Sequence, residues 1–278
     1  MFAYRVALFA LVGFTLAACG GNKAKPPPKV TAPAAPVKSA YDTRCDELRA
    51  AFDTEFGAKT YLPATIKVRG WTGEGAKTGA TMAERDYVKV LKAGGPRVNL
   101  LMARGGLGKS KLGWALEAQT CATRATVRVD LHWDIAANLA QFPKGANPVL
   151  LTVEKRLTGK NSGSPQLQIE KALKGRDLLL LFDSLDEVTL SQRAALVGFI
   201  QSAMAPVQGT TAIIFTRPPV FSANYGFARV DARLELPMLD CDATQRALRE
   251  LIKDDATLAN YLEFTKKFGL DRMVVRSG

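Results

Sequence analysis

The segment DLLLLFDSLDEV, Asp177 to Val188, runs four leucines and a phenylalanine straight into a cluster of carboxylates. An apolar run this short, bounded by polar residues, suits a strand covered on both faces of a parallel sheet. The carboxyl end of such a strand opens on the crevice where open α/β sheets bind ligands. Asp183, Asp186 and Glu187 stand at that end. Acids there serve a metal or a proton better than they serve stability. Taken alone, they would equally suit the first turn of a helix, whose dipole favours negative charge. An upstream segment decides between the two.

That segment is RVNLLMARGGLGKSKLGWALEAQ, Arg97 to Gln119. An apolar strand, Val98 to Ala103, meets a glycine-rich turn and then Lys109-Ser110. Beyond them Leu112, Ala115 and Leu116 fall at helical spacing. Glycines let backbone N–H groups turn inward around phosphates, and the helix N-terminus adds the positive end of its dipole. Strand, glycine loop and helix in this order are the context of a P-loop. The expected nucleotide cradle is Ala103, Arg104, Gly105, Gly106, Leu107, Gly108, Lys109, Ser110 and Lys111. Lys109 would reach the β- and γ-phosphates, and Ser110 would give its hydroxyl to Mg²⁺. The full pattern, GxxxxGK[ST], has a glycine where this chain has Ala103. That position ends the strand, so the change is mild.

The carboxylates now have a purpose. A P-loop protein uses a second strand whose terminal aspartate helps to hold Mg²⁺, and Asp183 fits. A further acid must orient and deprotonate the attacking water, for which Asp186 and Glu187 are the candidates, Glu187 preferred. A third segment, GTTAIIFTRPPVF, places an apolar strand (Thr211 to Phe215) before Thr216-Arg217-Pro218. Arg217 there brings positive charge to where negative charge develops during transfer. The plain alternative for Arg-Pro-Pro is a turn that ends the strand.

Together these segments resemble the NACHT group of STAND-class P-loop NTPases, over roughly Arg97 to Ile252. LLLLFDSLDEV is close to that group's hallmark, an apolar run followed by Asp-Gly-hydrophobic-Asp-Glu, and IIFTRPP is similar to its sensor strand. Ser184 stands where the group has glycine, and one residue of its usual Thr-Ser-Arg-Pro is missing or shifted. The resemblance implies a switch that binds and hydrolyses ATP and self-associates in the ATP state. ATP rather than GTP follows from the resemblance, since no Asn-Lys-x-Asp guanine motif is present. It also implies a helical lid after the sensor strand, where Asp242 and Gln245 form a capping box ahead of Leu248, Leu251 and Ile252. The group's winged-helix and sensor domains have no counterpart before Gly278, so the chain reads as a fragment or as a minimal NTPase.

The N-terminus reads as an address. Arg5 precedes an apolar run, Val6 to Ala18, too short to span a bilayer comfortably and ending in small residues as a secretory signal does. Leu16-Ala17-Ala18-Cys19 followed by Gly20 resembles the lipobox of bacterial lipoproteins, which implies acylation of Cys19 and a lipid anchor. Gly20 carries no inner-membrane retention signal, so the resemblance favours the outer membrane and the periplasmic side. If the signal is unused, the domain faces the cytoplasm. The next residues, NKAKPPPKVTAPAAPVKS, form a Pro-rich spacer whose lysines suit acidic head groups.

The net charge of +12 is scattered, with no basic stripe interleaved with aromatics, so nucleic acid is not a favoured partner. Cysteines 19, 45, 121 and 241 show no metal-ligand spacing. The single histidine, His132, excludes a His-rich metal site and reads as a satisfied structural residue at a strand end. With no GxSxG elbow, a Ser-His-Asp hydrolase is set aside.

The expected architecture is α/β: a three-layer P-loop core around a mostly parallel five-stranded sheet, with a partial C-terminal helical subdomain. Its strands are Val98–Ala103, Thr126–Leu131, Leu178–Asp183, Thr211–Thr216 and Val230–Leu236. The boundaries are 1–18 for the signal, 19–40 for the lipidated linker, 41–95 for a small mainly helical region, 96–236 for the core and 237–278 for the start of the lid. In the 41–95 region Asp42 is expected to cap a helix with Cys45, Leu48, Phe52 and Phe56 on one face; a short strand candidate and a Gly/Thr-rich loop follow between Tyr61 and Gly79, and then a second helix, MAERDYVKVLKA, from Met82 to Ala93.

Overall fold

The computed structural model describes residues 39–61, 63–72, 76–205, 207, 209–218 and 226–238, together with Asp254, Ala256, Thr257, Ala259, Asn260 and Glu263. All lie within one compact unit, Lys38–Gly278. The export signal, Cys19, the linker up to Lys38 and the lid capping box of Asp242 and Gln245 with Leu248, Leu251 and Ile252 lie outside the described residues.

The elements run α1 (Ala40–Thr60), β1 (Thr65–Trp71), β2 (Thr81–Ala83), α2 (Glu84–Lys92), β3 (Val98–Met102), α3 (Lys109–Thr120), β4 (Ala125–Asp130), α4 (Pro148–Thr158), α5 (Pro165–Leu173), β5 (Leu178–Asp183), α6 (Leu190–Met204), β6 (Thr211–Thr216) and β7 (Ala232–Glu235). A π-helical turn, Leu131–Ile135, and a 3₁₀ turn, Ala136–Gln141, follow β4. The sheet order is β2-β1-β7-β3-β6-β5-β4. Neighbours from β7 through β4 pair in parallel, as the apolar runs predict.

Every residue of β5 and of β6 is buried. Alternation explains how both faces are filled. Leu178, Leu180 and Phe182 join one core cluster with α4, α5 and α6. Leu179 and Leu181 join the other with α2 and α3. Helix, sheet and helix make the three layers.

The 41–95 region differs from expectation. β1 falls where a short strand is expected, but it and β2 join the main sheet, which among the described residues therefore has seven strands where the expected core has five. β1 pairs antiparallel with β7, and β2 with β1. Met82 and Ala83, expected to start the second helix, instead belong to the short edge strand β2. β2 has three residues and is mostly exposed, so it carries little apolar signal, and only its neighbour makes it a strand. The helix cap is also corrected. Ser39 is the N-cap, accepting from the Asp42 backbone N–H, while the Asp42 carboxylate answers from the N3 position of a capping box.

The opposite edge of the sheet is sealed by α1. The Tyr41 hydroxyl donates to Arg124 O (3.1 Å) and accepts from Thr126 N (2.7 Å), occupying the backbone of edge strand β4. Cys45 on α1 and Cys121, the residue after α3, form a disulfide that the spacing of the cysteines did not announce. Both cysteines are buried, at 4% and 0% exposure.

Candidate nucleotide-binding site

The strand order decides the site. β6 lies between the glycine-loop strand β3 and the acid strand β5. In register, Met102 pairs with Thr216, and Phe182 with Ile214. The ends of three parallel strands therefore bring Ala103, Arg217 and Asp183 to one edge, with Arg217 in the middle.

On the β3 side the chain leaves the sheet at Ala103, whose N–H donates to Thr216 O at 2.9 Å. Gly106 (φ +79°) and Gly108 (φ +84°) sit in the left-handed region that side chains avoid. They turn the loop into α3, for which Gly108 is the N-cap without any side-chain hydrogen bond. The first turn of α3 thus keeps N–H groups that lack an intrahelical acceptor, the feature that suits an anion. Lys109 Nζ donates back to Ala103 O at 3.2 Å, across the base of the loop. Leu112, Ala115 and Leu116 are buried and fix α3 on the sheet. Arg104, Gly105, Gly106, Ser110 and Lys111 are exposed, and Leu107 is half-buried.

On the β5 side Asp183 is buried, and one of its carboxylate oxygens accepts from Ser184 N at 2.9 Å. Ser184 adopts φ +63°, a left-handed conformation uncommon for a non-glycine residue. This is the position at which the resembling group has glycine, and the backbone shows why. The strained residue turns the chain into a short 3₁₀ turn, Leu185–Glu187. The two acids on that turn part company. Asp186 is 10% exposed and its Oδ2 lies 2.8 Å from Arg217 Nε, whereas Glu187 is exposed. Geometry therefore brings Asp186, rather than the Glu187 preferred from sequence, to Arg217 and the strand ends.

In the middle, the Arg217 guanidinium carbon is 3.8 Å from where a Cβ on Gly105 would stand. One side chain thus touches both the loop and the acid turn. Two buried polar atoms here lack a hydrogen-bond partner, Asp186 Oδ1 and Thr216 Oγ1.

Sequence reasoning missed Asp130. It pairs in register with Asp183. Its Oδ2 accepts from the Ser184 hydroxyl (3.2 Å), and its Oδ1 accepts from the N–H groups of His132 and Trp133. The signal was present: TVRVD is an apolar strand ending in an acid, the same pattern as LLLLFD. His132 corrects another expectation. It lies in the π-helical turn rather than on a strand, edge-on to Trp133 at 4.8 Å, and its buried Nδ1 has no hydrogen-bond partner.

The residues present fit a magnesium nucleotide. Among the described residues no group of three or more His, Cys, Asp or Glu could hold a metal alone. Magnesium needs none, since one or two protein ligands suffice when phosphates and waters complete its shell. Asp183 and Ser110 are a carboxylate and a hydroxyl of the kind such a shell uses, and the start of α3 keeps N–H groups of the kind an anion takes.

No family model matches the chain, and no curated protein matches it. Solved structures with a similar outline include PCH-2 from C. elegans (TM-score 0.40, 11% identity), with 60% of this chain covered. Drosophila ORC bound to DNA (TM-score 0.41, 14% identity) covers 80%. A STAND-class signal-transduction ATPase with a tetratricopeptide repeat sensor from Pyrococcus horikoshii (TM-score 0.35, 19% identity) covers 75%. The chain spans only 46%, 53% and 30% of those chains, respectively. At such scores the likeness carries no argument, and the fold is assigned on the chain's own topology. Strand order, glycine loop and helix N-terminus together make this an α/β fold of the P-loop type.

Proposed function

We propose that the chain is a membrane-tethered, ATP-binding and ATP-hydrolysing switch protein of the NACHT type. The observation that carries this reading is the meeting of the glycine loop, Asp183 and Arg217 at the ends of three adjacent strands. The loop N–H groups and Lys109 hold the phosphates. Ser110 and Asp183 would hold magnesium, which would supply charge to offset that of the phosphates. Asp186 takes a proton from water at the terminal phosphate, and Arg217 meets the charge that develops there. Glu187 remains the alternative base. Self-association in the ATP state is part of the proposal.

The experiment is calorimetric titration of ATP into the purified full chain, with and without Mg²⁺. Binding should be saturable and should fall by ~100-fold in Lys109→Ala, because a charge-assisted phosphate contact is lost. Equal affinity in the variant removes the assignment. In turnover assays, Asp186→Asn should spare binding and lower hydrolysis by roughly 10²–10⁴-fold, the usual loss for a general base. Glu187→Gln should lower it less. If neither amide variant changes turnover, the turn does no acid–base work.

A second reading is a tethered scaffold that keeps a P-loop fold without hydrolysis. The Cys45–Cys121 disulfide favours it. Disulfides form and persist on the oxidising side of a membrane, where an export signal would deliver the domain and where ATP is scarce. Among the described residues no helix is long and apolar enough to cross a membrane; in both readings the proposed attachment is at Cys19. Outer-membrane delivery of an acylated Cys19 predicts a salt-resistant membrane fraction that Cys19→Ser abolishes. A periplasm-dependent reporter fused after Gly278 would be active if the domain is exported and silent if it faces the cytoplasm.

A further inference from the structure

We propose that the cavity between the 3₁₀ turn after β4 and the C-terminal end of α4 is a binding site for a monosaccharide that carries one carboxylate. It is separate from the nucleotide site, since no residue of the glycine loop or of the acid turn is among those that line it.

The cavity has a volume of about 740 Å³, within the roughly 300–1,000 Å³ usual for small-molecule sites. Its walls are held by their own hydrogen bonds. On one side Asp134 Oδ2 accepts from Asp130 N (2.8 Å) and from Arg156 Nη2 (2.5 Å), which ties the π-helical turn to the end of β4 and to α4. Asn138 Nδ2 donates to Trp133 O (2.8 Å), and its Oδ1 accepts from Gln141 Nε2 (2.9 Å). On the other side α4 ends at Gly159, in the left-handed region at φ +77°. Buried Glu154 then accepts from Ser162 N through Oε2 (3.0 Å), which holds the residues after the helix against it.

The lining selects a chemistry. Asn138, Gln141 and Asn161 bring three amides to one cavity. An amide sets a donor beside an acceptor, the pattern that adjacent hydroxyls of a sugar ring complete. Gln141 spends an N–H on Asn138, which leaves its carbonyl oxygen to accept, and Asn161 is exposed. Phe142 is half-buried and adds apolar surface for the C–H groups of such a ring. Charge then chooses among sugars. The charged residues of the lining are Asp134, Lys155 and Arg156. Asp134 and Arg156 pair with each other, so the charge of Lys155 is left over. A lone ammonium beside amides suits one carboxylate on the ring, and a charge-assisted bond is stronger than a neutral one.

The test is calorimetric titration of glucuronate, glucose and acetate into the nucleotide-free full chain and into Lys155→Gln and Asn161→Ala. Both replaced residues are exposed, so the core is left intact. Glucuronate should bind saturably and roughly ten-fold more tightly than glucose or acetate, because each control lacks either the charge or the ring. Lys155→Gln should lower glucuronate affinity about ten-fold and leave glucose unchanged, and Asn161→Ala should weaken both sugars. Excess ATP should not displace glucuronate. Absence of glucuronate binding overturns the site. Acetate binding as tightly as glucuronate would mean attraction to a basic surface alone and overturns it too. So would indifference of glucuronate to Lys155→Gln, or its displacement by ATP, which would put the probe in the glycine loop. Failure of ATP to bind would remove the reading proposed above and leave this site standing.

Discussion

The two ends of the parallel sheet are built on opposite plans. At the N-terminal ends of the strands, Arg124 is 1% exposed and donates to five acceptors: Leu91 O, Gly94 O, Leu178 O, Gly209 O and Thr211 Oγ1. One guanidinium thus ties the α2 end, the starts of β5 and β6 and two loops into a closed floor. Gly209 adopts φ +76°, and a side chain there would be strained and would have to displace the Asp177 carboxylate. Arg97 and Asp231 extend the floor by bonding to Met204 O and Val98 N. At the C-terminal ends the loop residues Arg104, Gly105, Gly106 and Ser110 are exposed. Unpartnered polar atoms occur at both ends, Asn99 Oδ1 and Arg124 Nε below, Asp186 Oδ1 and Thr216 Oγ1 above. The difference is access. Arg124 is shut in by its own acceptors, although the floor has a cavity between Arg97, Met204 and Asp231, and the top keeps its loop donors where a ligand can reach them.

The sharpest way to break this contrast is Arg124→Leu. Five carbonyl and hydroxyl acceptors lose their donor in a dry setting, and the expected loss is about 3–5 kcal/mol in denaturant unfolding. A loss below about 1 kcal/mol would mean that the floor is not structural. Next comes Cys45→Ser with Cys121→Ser. These residues are 76 apart. Removing the cross-link should cost about 2–4 kcal/mol by releasing unfolded-chain entropy. Because the bridge ends at the helix that starts in the glycine loop, nucleotide affinity of the folded fraction should change far less than stability.

At the top the expected changes are smaller. Ser184→Gly relieves the left-handed backbone and should stabilise by up to about 1 kcal/mol, reduced by loss of the hydroxyl bond to Asp130. Destabilisation would show that the bond to Asp130 outweighs the strain. The smallest effect is a matter of pH. The Ser39 hydroxyl, then Arg176 and the Ser39 N–H, hold the Asp42 carboxyl down at about 2. Its folded value lies below its unfolded one, so its contribution is full above about pH 4 and is lost as pH falls through about 2. The stability difference between the wild-type chain and Asp42→Asn should be constant near neutrality and close between about pH 4 and 2. A difference that stays open at pH 2 would show that Asp42 acts through packing.

The strands and loops whose ends meet were legible because their patterns are local. A glycine loop needs its residues in a row, and an acid at a strand end follows directly on the strand's own apolar run. The sequence therefore determined the five parallel strands, the loop from Ala103 to Lys111 and the acids from Asp183 to Glu187. Pairing across the chain was not legible. Which carboxylate of the tight turn faces Arg217 was set by the left-handed Ser184 and by β6 lying between β3 and β5, and it is Asp186. Arg124 gave no signal, since an arginine in a basic chain reads as surface until five distant acceptors converge on it. The Cys45–Cys121 bridge, the Tyr41 seal on β4 and the recruitment of β1 and β2 needed α1 and β7 in place. Local propensity writes strands and loops into neighbouring residues, but burial and partnership are properties of residues far apart in the chain, and only the tertiary structure brings them together.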